Sequence, residues 1–263
     1  MSQGKHYFDA EQSARLDRAY ARRAIAEQRT RTLEALALLP GESALDVGCG
    51  PGYLTVEMAR AVGERGHVHG IDVSEPMLGF ARRRCAPFPW ITLQSGDAHR
   101  IPLADASVDA TASVQVYLFS NNLDRALAEL YRVLRAGGRA IVVDTDWDSV
   151  VWHSSYRERT EHFLHIWKQR FTNARVARSI PGALRKAGFA IERVTTIPIV
   201  ELDCDAEGYS SGPLAALPRF VAGKDGISDA DVRAWAEDQQ ALVTSGNYFF
   251  ALGRFLFVAR KGG

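Results

Sequence analysis

Cysteine is scarce in this chain: three in 263 residues (Cys49, Cys85 and Cys204), with no C-x-x-C pair among them. That usage supports neither a zinc ribbon nor a disulfide framework. An excess of charge of one sign is also missing, since 32 Lys and Arg face 31 Asp and Glu for a formal net charge of +1. No global field is on hand to recruit nucleic acid, an anionic surface or an acidic partner. No apolar run approaches the roughly 18 residues of a membrane span, and the opening MSQGKHYFDAEQ has no apolar stretch of the kind a secretion signal needs. These absences predict a soluble protein of a reducing cytoplasm. Internal repeats and low-complexity tracts are lacking as well. With 46% hydrophobic residues the chain has enough for a substantial core, and its length suits an α/β domain with insertions.

What is present is concentrated in one stretch, Ala44 to Leu54. Ala44, Leu45 and Val47 bracket Asp46, and glycines follow at every second position, Gly48, Gly50 and Gly52. Tyr53 to Met58 then reads as a helix start. A buried strand that ends in a glycine turn and feeds a helix brings bare backbone close to a ligand, because glycine takes positive φ and carries no Cβ. A dinucleotide fingerprint would place its third glycine at position 53, which is Tyr53. Asp46, two residues before the first glycine, repels a phosphate and attracts an ammonium. The competing reading of this stretch alone is a glycine turn that holds no ligand. The stretch resembles motif I of the class I S-adenosylmethionine (SAM) methyltransferases, an acidic residue followed by G-x-G-x-G.

The following residues extend the resemblance. A strand over 67–72 ends at Asp72, followed by Val73, with Ser74 as an N-cap and Pro76 in the first turn of a helix holding Met77. An acidic residue at the tip of a second strand is placed to accept both ribose hydroxyls; the bland alternative is a helix-entry carboxylate. A third strand over 90–94 leads to Gly96-Asp97-Ala98, similar to the family's G-D-A, in which the aspartate accepts the adenine amino group and the next N–H faces the ring. A fourth strand, Val108–Val114, runs into Gln115, where the family's chains pass under the methionine. A helix over 123–134 and a fifth strand over 139–144 follow, and Arg132 to Gly138 resembles the family's R-V-L-R-P-G-G with Ala136 for the proline.

Strands alternating with helices in this way predict a parallel sheet covered on both faces, with the ligand beyond the carboxyl ends of the strands. The expected fold is α/β, Rossmann-like: a seven-stranded, mostly parallel sheet. Residues 1–40 are expected to form an N-terminal helical cap, helical from Asp9 to Leu39, with the methyltransferase domain over 41–263. Helical insertions are expected at about 145–175 and 203–246. Ala190–Leu202 reads as an edge strand because of Pro198, and 246–259, apolar on both parities, as a central one. The arginines of the first helix are either a solvated face or part of a cap that lays Tyr20 over the cofactor.

The resemblance implies SAM as cofactor, with S-adenosylhomocysteine as product. Tyr20, Asp46, Gly48, Gly50, Gly52, Asp72, Val73, Met77, Asp97, Ala98, Val114 and Gln115 are its expected binding residues. Methyl transfer from a sulfonium needs chiefly an acceptor held in line, so a catalytic triad is not required. His153 is the candidate general base, beside Trp147 and Trp152, with Asp146 and Asp148 as further candidates; the alternative for His153 is a surface-loop histidine. Trp147, Trp152, Tyr156, Trp167, Tyr248, Phe249 and Phe250 are either walls of an apolar acceptor site or core. There is no N-P-P-Y/F after the fourth strand, no Pro-Cys nucleophile and no acidic metal cluster. The chain most resembles the ubiquinone/menaquinone-biosynthesis-like small-molecule methyltransferases. The expected partner is a small methyl acceptor, with no nucleic acid, membrane insertion or metal, and with monomer and homodimer both open. A SAM-binding protein of the same fold that transfers nothing is the alternative.

Overall fold

The computed structural model describes residues 10–263, so the expected helix start at Asp9 lies outside the described residues. The chain opens with α1 (Ala10–Tyr20) and α2 (Arg23–Leu36). The alternating part follows: β1 (Ser43–Val47), α3 (Tyr53–Val62), β2 (His67–Asp72), α4 (Glu75–Cys85), β3 (Ile91–Ser95), β4 (Val108–Val114), α5 (Leu123–Val133) and β5 (Leu134–Thr145). Then come β6 (Val151–Trp152), α6 (Arg157–Lys168), α7 (Ile180–Ala187), β7 (Phe189–Glu201), α8 (Ser211–Val221), α9 (Asp229–Thr244) and β8 (Phe250–Lys261).

One sheet runs in the order β3-β2-β1-β4-β5-β8, with β7 on the far edge of β8 and the two-residue β6 against the start of β8. The first five strands pair in parallel, and β8 enters antiparallel between β5 and β7. This is the expected mostly parallel sheet of seven strands, with β6 as a small addition. The doubly apolar pattern of β8 follows from its interior place, where both faces are covered. Pro198 sits opposite Gly253 on β7, whose only paired neighbour is β8, so its missing N–H costs no ladder bond on the open edge.

Each face of the sheet carries a helix layer. On one side Ala126, Leu127, Leu130 and Val133 of α5 and Leu184 of α7 bury against Val142 and Phe257. On the other, Ala35 and Leu36 of α2 and Met58 and Val62 of α3 bury against Ala44, Ala112 and Ile141. The helix ends carry their expected caps: the Ser74 hydroxyl accepts from the Met77 amide, and Gly188 closes α7 at φ 102°. A third cluster gathers α6, α8 and α9 around Trp147, Trp167, Trp235 and Phe250, over the end of the sheet where β6 lies.

The N-terminal stretch, expected to be helical, forms two helices. It breaks at Arg22, which is extended (φ −62°, ψ 150°), although no Gly or Pro lies between residues 10 and 36. Long-range bonds hold the break. Arg22 donates to the Gly208 carbonyl, Arg29 donates to the Tyr20 carbonyl at 2.6 Å, and Asp17 pairs with Arg84 at 2.9 Å. Local propensity asks for one helix; three arginines make two. Among the described residues no helix is long and apolar enough to cross a membrane, and no cluster of three or more His, Cys, Asp or Glu could hold a metal ion.

Candidate functional site

The strand order reverses between β1 and β4, and there the sheet opens into a cavity of about 970 Å³. A crevice beyond the carboxyl ends of the strands at such a switch point is the standard ligand position of an open α/β sheet. Gly48 and Gly50 line it from the end of β1, Asp72, Val73 and Met77 from the end of β2, Asp97 and Ala98 from the end of β3, and Val114 and Gln115 from the end of β4. Tyr20 closes it from the end of α1.

The glycine turn has two separate tasks. Gly48 has φ 67°, and a Cβ there would stand 2.4 Å from Val116 Cγ2, in the segment leaving β4. Only glycine lets the two strand exits pass this closely. Gly52 also has positive φ (82°), but its missing Cβ makes room for Ala81 and Cys85 of α4, at 3.1 and 3.2 Å. Gly52 is not on the cavity wall; it sets the packing of α3 against α4. Tyr53, which takes the place of a third fingerprint glycine, stacks on Tyr20 (ring centroids 6.4 Å apart, planes at 13°), with the Arg84 guanidinium 3.6 Å from its ring centre. The residue that breaks the dinucleotide pattern is thus the platform for the closing tyrosine.

Asp72 accepts from the Gly50 amide at 2.9 Å and the Ser74 amide at 2.8 Å, which ties the glycine turn to the β2 tip. Burial nevertheless pushes its carboxyl above the ordinary aspartate value. Asp97 Oδ1 accepts from the His99 amide at 2.9 Å and lies 2.6 Å from His99 Nδ1; His99 Nε2 meets Ser120 Oγ at 2.8 Å. His99 also lines the cavity. Gln115 holds φ 58° without being glycine. Its Oε1 accepts from Thr145 Oγ1 at 2.8 Å, while its buried Nε2 has no partner among the described residues. Strain of this kind, kept to aim a side chain, is common at binding sites.

Asp46 faces a small side chamber beneath Tyr20, shared with Gln28, Gly48 and Val114, rather than the main cavity. Its Oδ2 accepts from Thr55 Oγ1 at 2.7 Å. Burial, with the nearby charge of Asp72, pushes its pKa up to about 7, against the hydrogen bond from Thr55. Burial likewise raises Tyr20 to about 12, helped by Asp72 and Asp46. A carboxyl whose folded pKa exceeds its unfolded value stabilises the fold below pH 4, and that contribution is lost as pH rises toward 7. The wild-type protein is therefore expected to lose thermal stability relative to Asp46→Asn between pH 5 and 8. The change is on the order of 2–4 kcal/mol, or about 5–10 °C in midpoint. Calorimetric scans across that range check it; a wild-type-minus-variant difference that stays flat or grows as pH rises would overturn the assignment.

His153 lies elsewhere. The two residues of β6 pair with β8, the backbone amide of His153 continues that pairing to the Phe249 carbonyl at 2.9 Å, and strand alternation turns Trp152 inward and His153 out to solvent. Asp146 and Asp148 are committed to Arg178, with Lys168 and Arg175 also on Asp148. None of these three is on the cavity wall. The aromatic set divides: Trp147 and Trp167 line the cavity, Trp152, Tyr248 and Phe250 are core, and Tyr156 is exposed. Phe171 and Tyr209 join the wall, as do Gln28, Arg170 and Arg254. Of these, only His99, immediately after the G-D-A, stood beside a sequence signal; the others come from α2, the end of α6, the loop before α8, and β8.

These residues fit a cationic adenosyl ligand on three counts: a glycine cradle that a Cβ would fill, carboxylates at three strand tips, and an unpartnered amide donor. Comparison with known proteins gives the same direction. The methyltransferase-domain family, by its sequence profile, matches residues 45–142. A 37.1 kDa protein of transposon TN4556 from Streptomyces fradiae is 35% identical over 87% of this chain and 65% of its own length. The demethylmenaquinone methyltransferase of Symbiobacterium thermophilum is 42% identical over 40% of this chain and 43% of its own. The chain thus spans less than two thirds of these relatives. In fold it is similar to the Haemonchus contortus phosphoethanolamine N-methyltransferase 2, solved with S-adenosylhomocysteine. The TM-score is 0.63 at 15% identity, covering 98% of this chain and 59% of that one.

Proposed function

The chain carries a class I SAM-dependent methyltransferase domain of the ubiquinone/menaquinone-biosynthesis-like type, and from that premise we propose that it transfers a methyl group from SAM to a small molecule. The observation that carries the proposal is the convergence of Gly48, Gly50, Asp72, Asp97 and Gln115, from four strand ends, on one cavity that also has an aromatic wall. The bound cofactor supplies a methyl already activated on a sulfonium. The chain's own residues do the rest. Asp72 accepts from the ribose hydroxyls, and Asp97 and the Ala98 amide hold the adenine. Asp46 and the Gly48 turn face the amino-acid part. Tyr20, stacked on Tyr53, excludes water from above, and α1 with the 145–175 and 203–246 segments forms the cap. Gly52 serves the turn only through helix packing.

Among the described residues no carboxylate or free histidine lies beside Trp147, Trp167 and Tyr209 on the cavity wall, so positioning rather than proton removal supplies most of the rate. The three free cysteines, two of them buried, support work in a reducing cytoplasm. Titration calorimetry tests the reading: SAM and S-adenosylhomocysteine should bind saturably and NADH should not. Release of S-adenosylhomocysteine with a panel of phenols, quinols, amines and carboxylic acids then tests transfer. Binding of NADH in preference to SAM would overturn the proposal, and saturable binding with no turnover on any acceptor would favour a binder over an enzyme.

A further inference from the structure

The cavity wall carries charge of both signs: Asp72 and Asp97 at strand tips, with Asp46 in the adjoining chamber, and Arg170 and Arg254 beside Tyr209. Arg254, on β8, is 3% exposed, a rare degree of burial for an unpaired guanidinium. One amino group donates to Gln28 Oε1, but its buried Nε has no hydrogen-bond partner among the described residues. Among the described residues no ion pair holds it there either. The carboxylate that acts on it through space, Asp144, gives its own oxygens to the amides of Tyr117 and Thr145 at 2.9 and 3.0 Å. Burial moreover pushes Asp144 up to about 7, so its compensating charge is incomplete at neutral pH.

Arg170, just past the end of α6, repeats the pattern. It has no carboxylate partner among the described residues, and its guanidinium rests 4.1 Å from the centre of the Trp167 ring. Burial holds it below the ordinary guanidinium value. Tyr209 lies by both arginines: its ring centre is 4.8 Å from the Arg254 guanidinium, and its hydroxyl acts electrostatically on Arg170. Two desolvated guanidiniums without carboxylates, framed by Trp147, Trp167 and Tyr209, form a receptor for an anion attached to an apolar body.

We infer that the methyl acceptor carries an anionic oxygen group, a carboxylate or a phosphate, which Arg170 and Arg254 bind while the aromatic wall takes its apolar part. This rests on the methyl-transfer reading and deepens it. Its consequence is an acceptor anchored by charge beside Tyr209, which fixes its direction of approach. The arrangement also disfavours a cationic amine as acceptor, because the same two charges would repel it.

The test uses the full chain saturated with S-adenosylhomocysteine, whose binding is measured first. Calorimetric affinities are compared within three pairs: 2-naphthoate and 2-naphthamide, octanoate and octanamide, 2-naphthyl phosphate and 2-naphthol. The anion of at least one pair should bind about ten-fold or more tighter than its neutral partner, and the pair that shows it tells carboxylate from phosphate. Arg254→Gln should erase that preference. Arg170→Gln, on a less buried side chain, should reduce it even if the first variant folds poorly, and Arg254→Lys should keep part of it. An absent preference in all three pairs overturns the inference, as does one that survives both Gln variants. So does a loss of S-adenosylhomocysteine affinity with the anion preference intact, which would assign Arg254 to the cofactor's own carboxylate. Failure of the homocysteine ligand to bind at all would instead count against the methyl-transfer reading, and the anion–neutral comparison can then be read without it.

Discussion

Alanine at position 48 is expected to abolish measurable binding of SAM and S-adenosylhomocysteine while leaving a folded protein. Two costs add. The backbone at φ 67° is left-handed, which costs a side-chain-bearing residue about 1–2 kcal/mol. The new methyl would also lie 2.4 Å from Val116 Cγ2, a contact no real Cβ tolerates, and relieving such overpacking costs about 1–3 kcal/mol more. The chain relieves it by turning the β-branched Val116 side chain out of its rotamer or by separating the exits of β1 and β4, and those exits are the floor of the cavity. The prediction has an internal control. In Gly48→Ala/Val116→Ala the offending Cγ2 is gone and the next atom, Cβ, stands at 3.6 Å, leaving only the backbone strain. The double variant should recover part of the thermal midpoint and part of the cofactor affinity. Equal affinities for Gly48→Ala and wild type would remove the turn from the binding site, and an unhelped double variant would show that Val116 is not the obstacle.

Asp72→Ala is expected to weaken S-adenosylhomocysteine binding by about 10²-fold. Each charged hydrogen bond from a ribose hydroxyl contributes roughly 1.5–3 kcal/mol, and a part of that is lost to water at the cavity mouth. The substitution also releases the Gly50 amide, now held at 2.9 Å, so the glycine turn loses its tie to β2. Asp72→Asn separates the two effects. Its amide oxygen can still accept from one of the two backbone donors, but its NH₂ opposes the other, and it offers the ribose one acceptor fewer. Calorimetry should place it between wild type and alanine, and adenosine, which keeps the ribose and lacks the amino acid, should lose affinity in the same order. If adenosine binding is indifferent to both substitutions, the ribose contact is not made by Asp72.

Much of this was legible in the chain because the signals are local. A strand, a glycine turn and a helix start are neighbours in sequence, so Asp46–Tyr53, Asp72–Met77 and Gly96–Ala98 fall at strand tips by period alone, and the tips of a parallel sheet share one edge. Positions whose neighbours come from far along the chain could not be read in the same way. Gly52 looks like a ligand glycine in sequence and is a packing glycine in space, because Cys85 of α4 is what its Cβ would meet. His153 follows Trp147 and Trp152 in sequence, yet pairing of β6 with β8 turns it outward. The break after Tyr20 has no Gly or Pro behind it; Arg22 finds the Gly208 carbonyl from far along the chain, and Arg29 holds the Tyr20 carbonyl across the break.

By itself, then, the sequence determined the parallel sheet and the clustering of glycines and carboxylates at its strand tips, since periodicity, turn chemistry and charge act over a few residues. Tertiary structure alone brought Arg170 and Arg254 to one cavity beside Tyr209. Arg254 reaches Gln28 across 226 positions of chain, and Tyr209 meets it from a third segment. A buried charge acquires meaning only from what surrounds it, and here the surroundings are assembled from α2, the end of α6, the loop before α8, and β8, none of which is near another in the chain.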